Sequence, residues 1–429
     1  MYPMNNTKET LVSAFALFSL FFGAGNLILP PFIGFNSGEL WWVMAIGFCL
    51  SAILIPILGI FAHAKLQGTI FDFGKKVSNT FSLVFSILIY CIAVALPSPR
   101  TASVTHEIGI APFFNIPSIY TSVVYFGLVL VFALNRSKIL NILGKFLTPA
   151  ILLILLAIIG ICVFSFDFTF GASTVKSPFT DGILEGYQTF DAIAAVVVGG
   201  VLIISINLKN KDISYTDRKT LIRNAGIFAG LGLLFVYGGL ILTGALMHSN
   251  FNADINRTDL LNGISRTLLG NEGNKFLSIL VSLACFTTAI GIVTGTADFI
   301  KGRFNNSNKA YTITAIISCV LGIVMGQFNV DYIIVVAIPA LMFIYPITII
   351  LIVLNVLPDK YTAPKVFKAV VCTTILFSVP DFLNSIGITS VAKFTAAYLP
   401  LSTYSLAWVL PATIALVIGN LSSGKATTV

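Results

Sequence analysis

The chain is 429 residues long, 57% hydrophobic and only 10% charged, with a formal net charge of +8 and a mean hydropathy of +0.96. Soluble domains carry about 25% charged residues, and a helix needs about 20 mainly apolar residues to cross a hydrocarbon core. The composition therefore excludes a soluble globular protein and describes an all-α polytopic membrane protein, since a transmembrane barrel would show two-residue alternation instead.

Apolar runs between polar punctuation predict about twelve spans. In chain order they cover 10–36, 39–63, 80–98, 119–134, 145–166, 184–206, 223–247, 275–298, 309–327, 331–354, 366–384 and 398–419. The first run continues into Pro30 and Pro31 without a small-residue cleavage site, so no cleavable signal peptide is expected. The third is followed by a Pro-punctuated segment, "PSPRTASVTHEIGIAPFFNIP", expected as an outer loop or a bent helix end. The segment over 247–275 holds "DLLNGISRTLLG", a candidate amphipathic helix. All six cysteines (Cys49, Cys91, Cys162, Cys285, Cys319, Cys372) lie in apolar runs and read as small core residues.

Lys and Arg orient the spans. With the N-terminus inside, the inner segments collect Lys8, Lys65, Lys75, Lys76, the clusters over 136–145 and 209–223, Lys301, Arg303, Lys309, Lys360, Lys365, Lys368 and Lys425. The outer segments hold Arg100, Lys176, Arg257, Arg266, Lys275 and Lys393. An even number of spans with both termini cytoplasmic satisfies this bias. The positive charge belongs to these loops and requires no nucleic-acid partner.

The first span carries "FSLFFGAGNLILPP", Phe18 to Pro31. An unwound turn in lipid leaves backbone groups unpaired at several kcal/mol each, so it persists only where protein, water or ligand satisfies it. Amides at Gly23, Ala24, Gly25 and Asn26 would open a half-helix whose N-terminus suits a carboxylate. Carbonyls around Ser19 to Phe22 would close the preceding half-helix and suit a cation. The competing reading is a small-residue packing face; Asn26 and the Pro30–Pro31 pair favour the break.

A second broken span is the best pointer to a transport site. The sixth, "LEGYQTFDAIAAVVVGGVLI", places Gln188, Thr189, Phe190 and Asp191 before a small, flexible stretch ending at Gly199–Gly200. The interval of five spans fits two inverted repeats over 1–166 and 167–356, with broken helices 1 and 6. Residues 357–429 then add two further helices and a short tail. Asp191 is the clearest acid well inside a span. Such an acid can bind a substrate ammonium, line a cation path or take a proton; the alternative is a helix cap in a wet vestibule. In the eighth span, Ala284 lies one helical turn from Thr288, with Thr287 beside it. The Ala284 carbonyl and two hydroxyls form an oxygen half-cage for Na⁺, unless both hydroxyls only bond back to their own helix.

These pieces, "FALFSLFFGAGNLILPPFIG", "LEGYQTFDAIAAVVVGG" and "LACFTTAIG", resemble the bacterial branched-chain amino acid:cation symporters, the system II carriers, over essentially the whole chain. The resemblance implies a leucine-transporter-type five-plus-five fold in the cytoplasmic membrane, importing leucine, isoleucine and valine with Na⁺ or H⁺ and no other cofactor. It implies that the amides of Gly23, Ala24, Gly25 and Asn26 hold the substrate carboxylate. It also implies that Na⁺ is bound by the Ser19, Phe22 and Ala284 carbonyls with the Thr287 and Thr288 hydroxyls. Phe22 and Phe190 would wall the aliphatic side chain, and the ammonium would meet groups near Gln188–Asp191. A proton-coupled carrier using Asp191 is the nearest alternative.

Two other classes are weighed against transport. An intramembrane enzyme would need a metal or nucleophile motif, but His63, His106 and His248 form no HExxH pattern and read as surface or interface residues; there is no GxSxG. A sensor without net transport would need a signalling domain, and no soluble domain of that size is present.

Overall fold

The computed structural model describes residues 6–135, 139–197, 199–200 and 214–423, and the described residues are helical with short connections. The first span is two helices, α1 (Asn6–Phe21) and α2 (Ala24–Ser37), broken at Phe22–Gly23. α3 (Trp41–Cys49) and α4 (Ile55–Leu66) form the second span, joined through a π-helical turn over Leu50–Leu54. A short helix, α5 (Ile70–Gly74), precedes α6 (Asn79–Ala95), which passes through Leu96 into α7 (Pro97–Val104) and a second π-helical turn, Thr105–Ile110.

Long helices follow at α8 (Ser118–Asn135) and α9 (Ile139–Ser165). The second broken span begins with α10 (Pro178–Tyr187) and resumes as α11 over 191–197. Then come α12 (Tyr215–Leu246), α13 (Arg257–Arg303), α14 (Asn308–Gly326), α15 (Val330–Val356), α16 (Pro364–Ser385), α17 (Thr389–Tyr398) and α18 (Val409–Ser423).

Among the described residues, nine helices are long and apolar enough to cross a membrane. Three expected spans account for the difference from twelve. The second half of the first span runs on into the second, from Gly25 to Leu66. The sixth is interrupted, and its expected stretch over 201–206 lies outside the described residues. The twelfth, expected over 398–419, starts about ten residues later as the 15-residue α18, because Leu401 and Ser405 adopt left-handed backbone that a helix cannot continue through.

The amphipathic segment is a helix, and Gly270 at φ +71° divides it from the apolar remainder of α13. The Pro-punctuated segment proves to be a bent helix end: Ser98 to Val104 of α7 are all buried. Arg100, assigned from sequence to an outer segment, is therefore inside the fold, and is 3% exposed. The reason lies in its neighbours, which are small enough (Ser98, Thr101, Ala102, Ser103) for α7 to pack against α13 and α14.

Both broken helices lie at backbone contact with a neighbour. α2 packs on α12, where a methyl at Gly34 would fall on the Ile241 carbonyl and one at Gly244 on that of Pro31. α10 packs on α3 in the same manner, with Gly47 against the Phe179 carbonyl and Gly182 against that of Met44. Gly199, expected in a flexible stretch, has a packing reason instead: a methyl there would strike the His63 ring. His63 is accordingly fully buried rather than a surface residue, with its ring nitrogens facing the carbonyls of Val196 (2.9 Å) and Gly68 (3.1 Å).

Ion pairs tie the connections together at two places. Lys65 and Lys76 both reach Asp359, at 3.2 and 2.9 Å. Elsewhere Arg257 links the start of α13 to Asp331 of α15 at 2.5 Å and to Glu185 of α10 at 3.3 Å.

Candidate functional site

The two breaks meet. At the first, the Gly23 amide, which in an unbroken helix would serve the Ser19 carbonyl, donates instead to Phe21 O at 2.9 Å and to Asn26 Oδ1 at 3.3 Å. The Asn26 amide turns to Gly23 O at 3.2 Å rather than to Phe22. The carbonyls of Ser19 and Phe22 thus lose their ordinary helical donors, and α2 opens with its amide end toward the break.

At the second, the chain leaves α10 through three tight turns, with the amides of Gln188, Thr189 and Phe190 donating to Glu185, Gly186 and Tyr187. Phe190 then takes φ +62°, a left-handed conformation that costs a residue with a side chain about 1–2 kcal/mol. α11 starts at the next residue, with the Ala194 amide returning to Phe190 O at 2.9 Å.

Asn26 and Asp191, 165 residues apart, are joined directly: Asn26 Nδ2 donates to Asp191 Oδ2 at 2.7 Å. The same Nδ2 also bonds the Tyr237 hydroxyl of α12, and that hydroxyl donates to Asp191 Oδ2 at 3.3 Å. Thr189 Oγ1 donates to Gly186 O at 2.8 Å and accepts from the Asp191 amide at 3.2 Å. Tyr345 of α15 accepts from the Ala192 amide at 3.2 Å and stacks on Tyr187 with ring centroids 4.3 Å apart. Phe22 stacks between Phe18 and Tyr237, at 5.1 and 6.3 Å. Asn26, Gln188, Thr189, Phe190 and Asp191 are all buried.

A guanidinium completes this cluster. Arg100 Nη1 donates to the Gln188 carbonyl at 2.7 Å, and its Cζ lies 5.2 Å from the centre of the Phe190 ring. Gly25 makes room for it, since a methyl there would collide with Nη2 and come within 3.0 Å of Cζ.

The expected cation-site residues also come together. Ser19, Phe22, Ala284 and Thr287 line one cleft with Phe18, Leu147, Thr148 and Ile151, between α1, α9 and α13. Thr288 sits beside the first break; a methyl at Gly23 would lie 3.9 Å from its Oγ1. Thr287 and Thr288 each donate to the Ala284 carbonyl, at 2.9 and 3.0 Å. Those bonds use the hydroxyl hydrogens and leave the oxygen lone pairs available. Among the described residues, no group of three His, Cys, Asp or Glu side chains could hold a metal ion.

Arg100, Tyr237 and Tyr345 were not anticipated from sequence. Arg100 had a signal: a charge one turn past an apolar run, in a stretch of Ser, Thr and Ala that can pack deep. The tyrosines had none, because an apolar helix with a tyrosine is ordinary.

Residues 6–425 match the sequence profile of a family described as branched-chain amino acid transport protein. The chain belongs to that family. It is 31% identical over 421 residues to the branched-chain amino acid transport system 2 carrier protein of Pseudomonas aeruginosa, covering 96% of this chain and 95% of the relative. It is 33% identical over 424 residues to the branched-chain amino acid permease BraB of Bacillus subtilis, with the same coverage of each. Among solved structures, MhsT in complex with L-phenylalanine matches with a TM-score of 0.56 at 15% identity, covering 96% of this chain and 98% of that one. That likeness is one of overall fold, and the fold resembles that of leucine-transporter-type transporters. The protein is a multi-pass bacterial membrane carrier of small solutes, not an enzyme.

Proposed function

We propose that this carrier is a secondary-active symporter that imports leucine, isoleucine and valine across the bacterial cytoplasmic membrane, driven by Na⁺, with both termini cytoplasmic. The observation that carries the reading is the direct bond between Asn26 and Asp191, which closes two helix breaks on one buried polar cluster. The family and the names of its Pseudomonas and Bacillus relatives support branched-chain amino acids as the substrate class. In this reading the amides of Gly23, Ala24 and Gly25 bind the carboxylate, and the ammonium meets Asp191 with the polar groups of Gln188 and Thr189. Phe22 and Phe190 flank the aliphatic side chain.

Na⁺ binds the Ser19, Phe22 and Ala284 carbonyls and the Thr287 and Thr288 hydroxyls, so one ion spans the first break and α13. An ion shifts a conformational equilibrium only by its differential affinity for the two states. A site shared between a breakable helix and a separate one supplies that difference.

The repeats extend over 1–166 and 167–356, with 357–429 outside them. The packing supports this: inversion exchanges the first span with the sixth and the second with the seventh. First half-helix exchanges with first and second with second, so the α1–α12 contact maps onto α10–α3, and α2–α12 onto α11–α4, where Gly59 lies against Ala195. Rocking of these four spans against the remainder would alternate access.

A second reading, H⁺ coupling through Asp191, is favoured by the burial of that acid at 2% exposure. Uptake of labelled leucine into proteoliposomes under an imposed Na⁺ or pH gradient decides between them. Asp191→Asn is expected to weaken uptake while leaving it Na⁺-dependent. Parent uptake that follows the pH gradient, ignores Na⁺ and is abolished in Asp191→Asn would refute the Na⁺ reading. Binding of leucine without counterflow would refute transport.

A further inference from the structure

A guanidinium inside a membrane-spanning fold is costly unless it is paired. Arg100 is under-paired. It carries five N–H donors, and one of them bonds the Gln188 carbonyl. Its Nε is buried with no partner, as is the side-chain Oε1 of Gln188, the residue whose carbonyl it bonds. Among the described residues, no carboxylate lies within ion-pair distance of Arg100. Asp191, the acid of the same buried cluster, has its Oδ2 already engaged by Asn26 and Tyr237.

The fold spends local freedom to keep this cation where it is. Gly25 lacks the side chain that would collide with Nη2. Phe190 adopts left-handed backbone and presents its ring to the guanidinium. The guanidinium thus stands against the amide end of α2, which carries partial positive charge of its own. Two positive features side by side are unfavourable unless an anion joins them, and a planar fork of N–H groups is shaped for a carboxylate.

We infer that Arg100 reads the substrate carboxylate, binding it together with the amide end of α2, so that the site selects solutes bearing both a carboxylate and a small aliphatic side chain. The inference rests on the amino-acid reading above and adds to it a charged recognition residue on α7. The same guanidinium, joining Gln188 of one break to Gly25 of the other, would hold the two breaks together if it were only a structural staple.

The two roles separate by ligand. Leucinamide keeps the ammonium and the side chain of leucine but replaces the carboxylate with a neutral amide. Direct titration of the purified full-length carrier, in Na⁺, gives the ratio of leucine to leucinamide affinity. In Arg100→Gln this ratio is expected to fall about 10- to 100-fold, the worth of a lost charged hydrogen-bond pair, with leucinamide affinity within about threefold of the parent. A staple would weaken both ligands together, and an unchanged ratio in folded Arg100→Gln overturns the assignment. If Arg100→Gln does not run as a monodisperse species, Arg100→Lys decides, because it keeps the charge and loses the fork. Its ratio should fall by a smaller factor, and a parent-like ratio overturns the assignment equally. Failure of the parent itself to bind leucine, isoleucine or valine would overturn the substrate reading first, and the role of Arg100 with it.

Discussion

Asn26 is the side chain whose loss should be felt at both breaks, and Asn26→Ala tests whether the cluster holds them together. The substitution removes the donor to Asp191 Oδ2, the contact with the Tyr237 hydroxyl and the acceptor of the Gly23 amide. Alanine leaves these partners buried with fewer bonds. A net hydrogen bond is worth about 1 kcal/mol, and an orphaned buried group costs about 1–3 kcal/mol. Tyr237 and Asp191 still bond each other, so the Gly23 amide and the second Asp191 bond dominate, and the expected loss is about 3 kcal/mol. That corresponds to a fall of several degrees in apparent Tm, measured by thermal unfolding of the purified carrier. Asn26→Asp separates shape from donor: it keeps an acceptor for Gly23 but sets a second acid against Asp191. Leucine uptake should fall at least as far in this variant as in Asn26→Ala. An Asn26→Ala protein with parent-like Tm and parent-like uptake would refute the argument that this side chain organises the site. A lowered Tm with unchanged uptake per folded carrier would reduce the cluster to a structural bond.

Thr287→Ala with Thr288→Ala removes both hydroxyls of the proposed cation site while each was bonded only within its own helix, so folding should survive. The Na⁺ concentration for half-maximal leucine uptake should rise about 10-fold or more; an unchanged Na⁺ dependence would remove these residues from the site. Gly34→Ala places a methyl on the Ile241 carbonyl of α12 and should destabilise the carrier by about 1–3 kcal/mol through backbone displacement. Gly127→Ala, where a methyl meets nothing within 4 Å, is the control, and equal Tm values for the two variants would show that the α2–α12 contact is loose.

What was legible in the sequence followed from the cost of unpaired backbone in lipid. Gly23 to Asn26 are small or polar where an unbroken helix needs neither, and the first span breaks there, within a residue or two; the sixth breaks at Gln188 to Phe190, ahead of the small stretch read from sequence as flexible, which is helical over 191–197. Apolar runs between polar punctuation also located the long spans closely. Arg100 escaped because counting Lys and Arg for orientation assumes that each lies in a loop, whereas α7 is built of residues small enough to carry one inward. The late start of α18 escaped because Leu401 and Ser405 have ordinary side chains, and their left-handed backbone is a tertiary outcome. Tyr237 and Tyr345 are visible only through their partners. The helix face a residue shares with a residue 46 or 153 positions away is set by packing, which local pattern does not encode.

The two breaks are built differently, and the difference bears on coupling. Each ends a half-helix whose last carbonyls seek positive charge. At α10 the chain supplies that charge itself: Arg100 Nη1 bonds the Gln188 carbonyl, and a left-handed Phe190 fixes the ring beneath it. At α1 the cleft lining holds, among the described residues, no cationic side chain; Ser19 and Phe22 share that cleft with Ala284 and Thr287. A guanidinium carried by the chain itself is present at every ion concentration, so it can fix geometry but carries no information about the ion gradient. An exchangeable cation at the other break does carry it, because its occupancy changes with concentration. On this argument the first break, whose amide end shares the substrate carboxylate with Arg100 in the proposed reading, is also where the ion is sensed, while Arg100 at the second break contributes recognition alone. Arg100 substitutions should therefore alter ligand discrimination at constant Na⁺ dependence, while Thr287 and Thr288 substitutions should do the reverse.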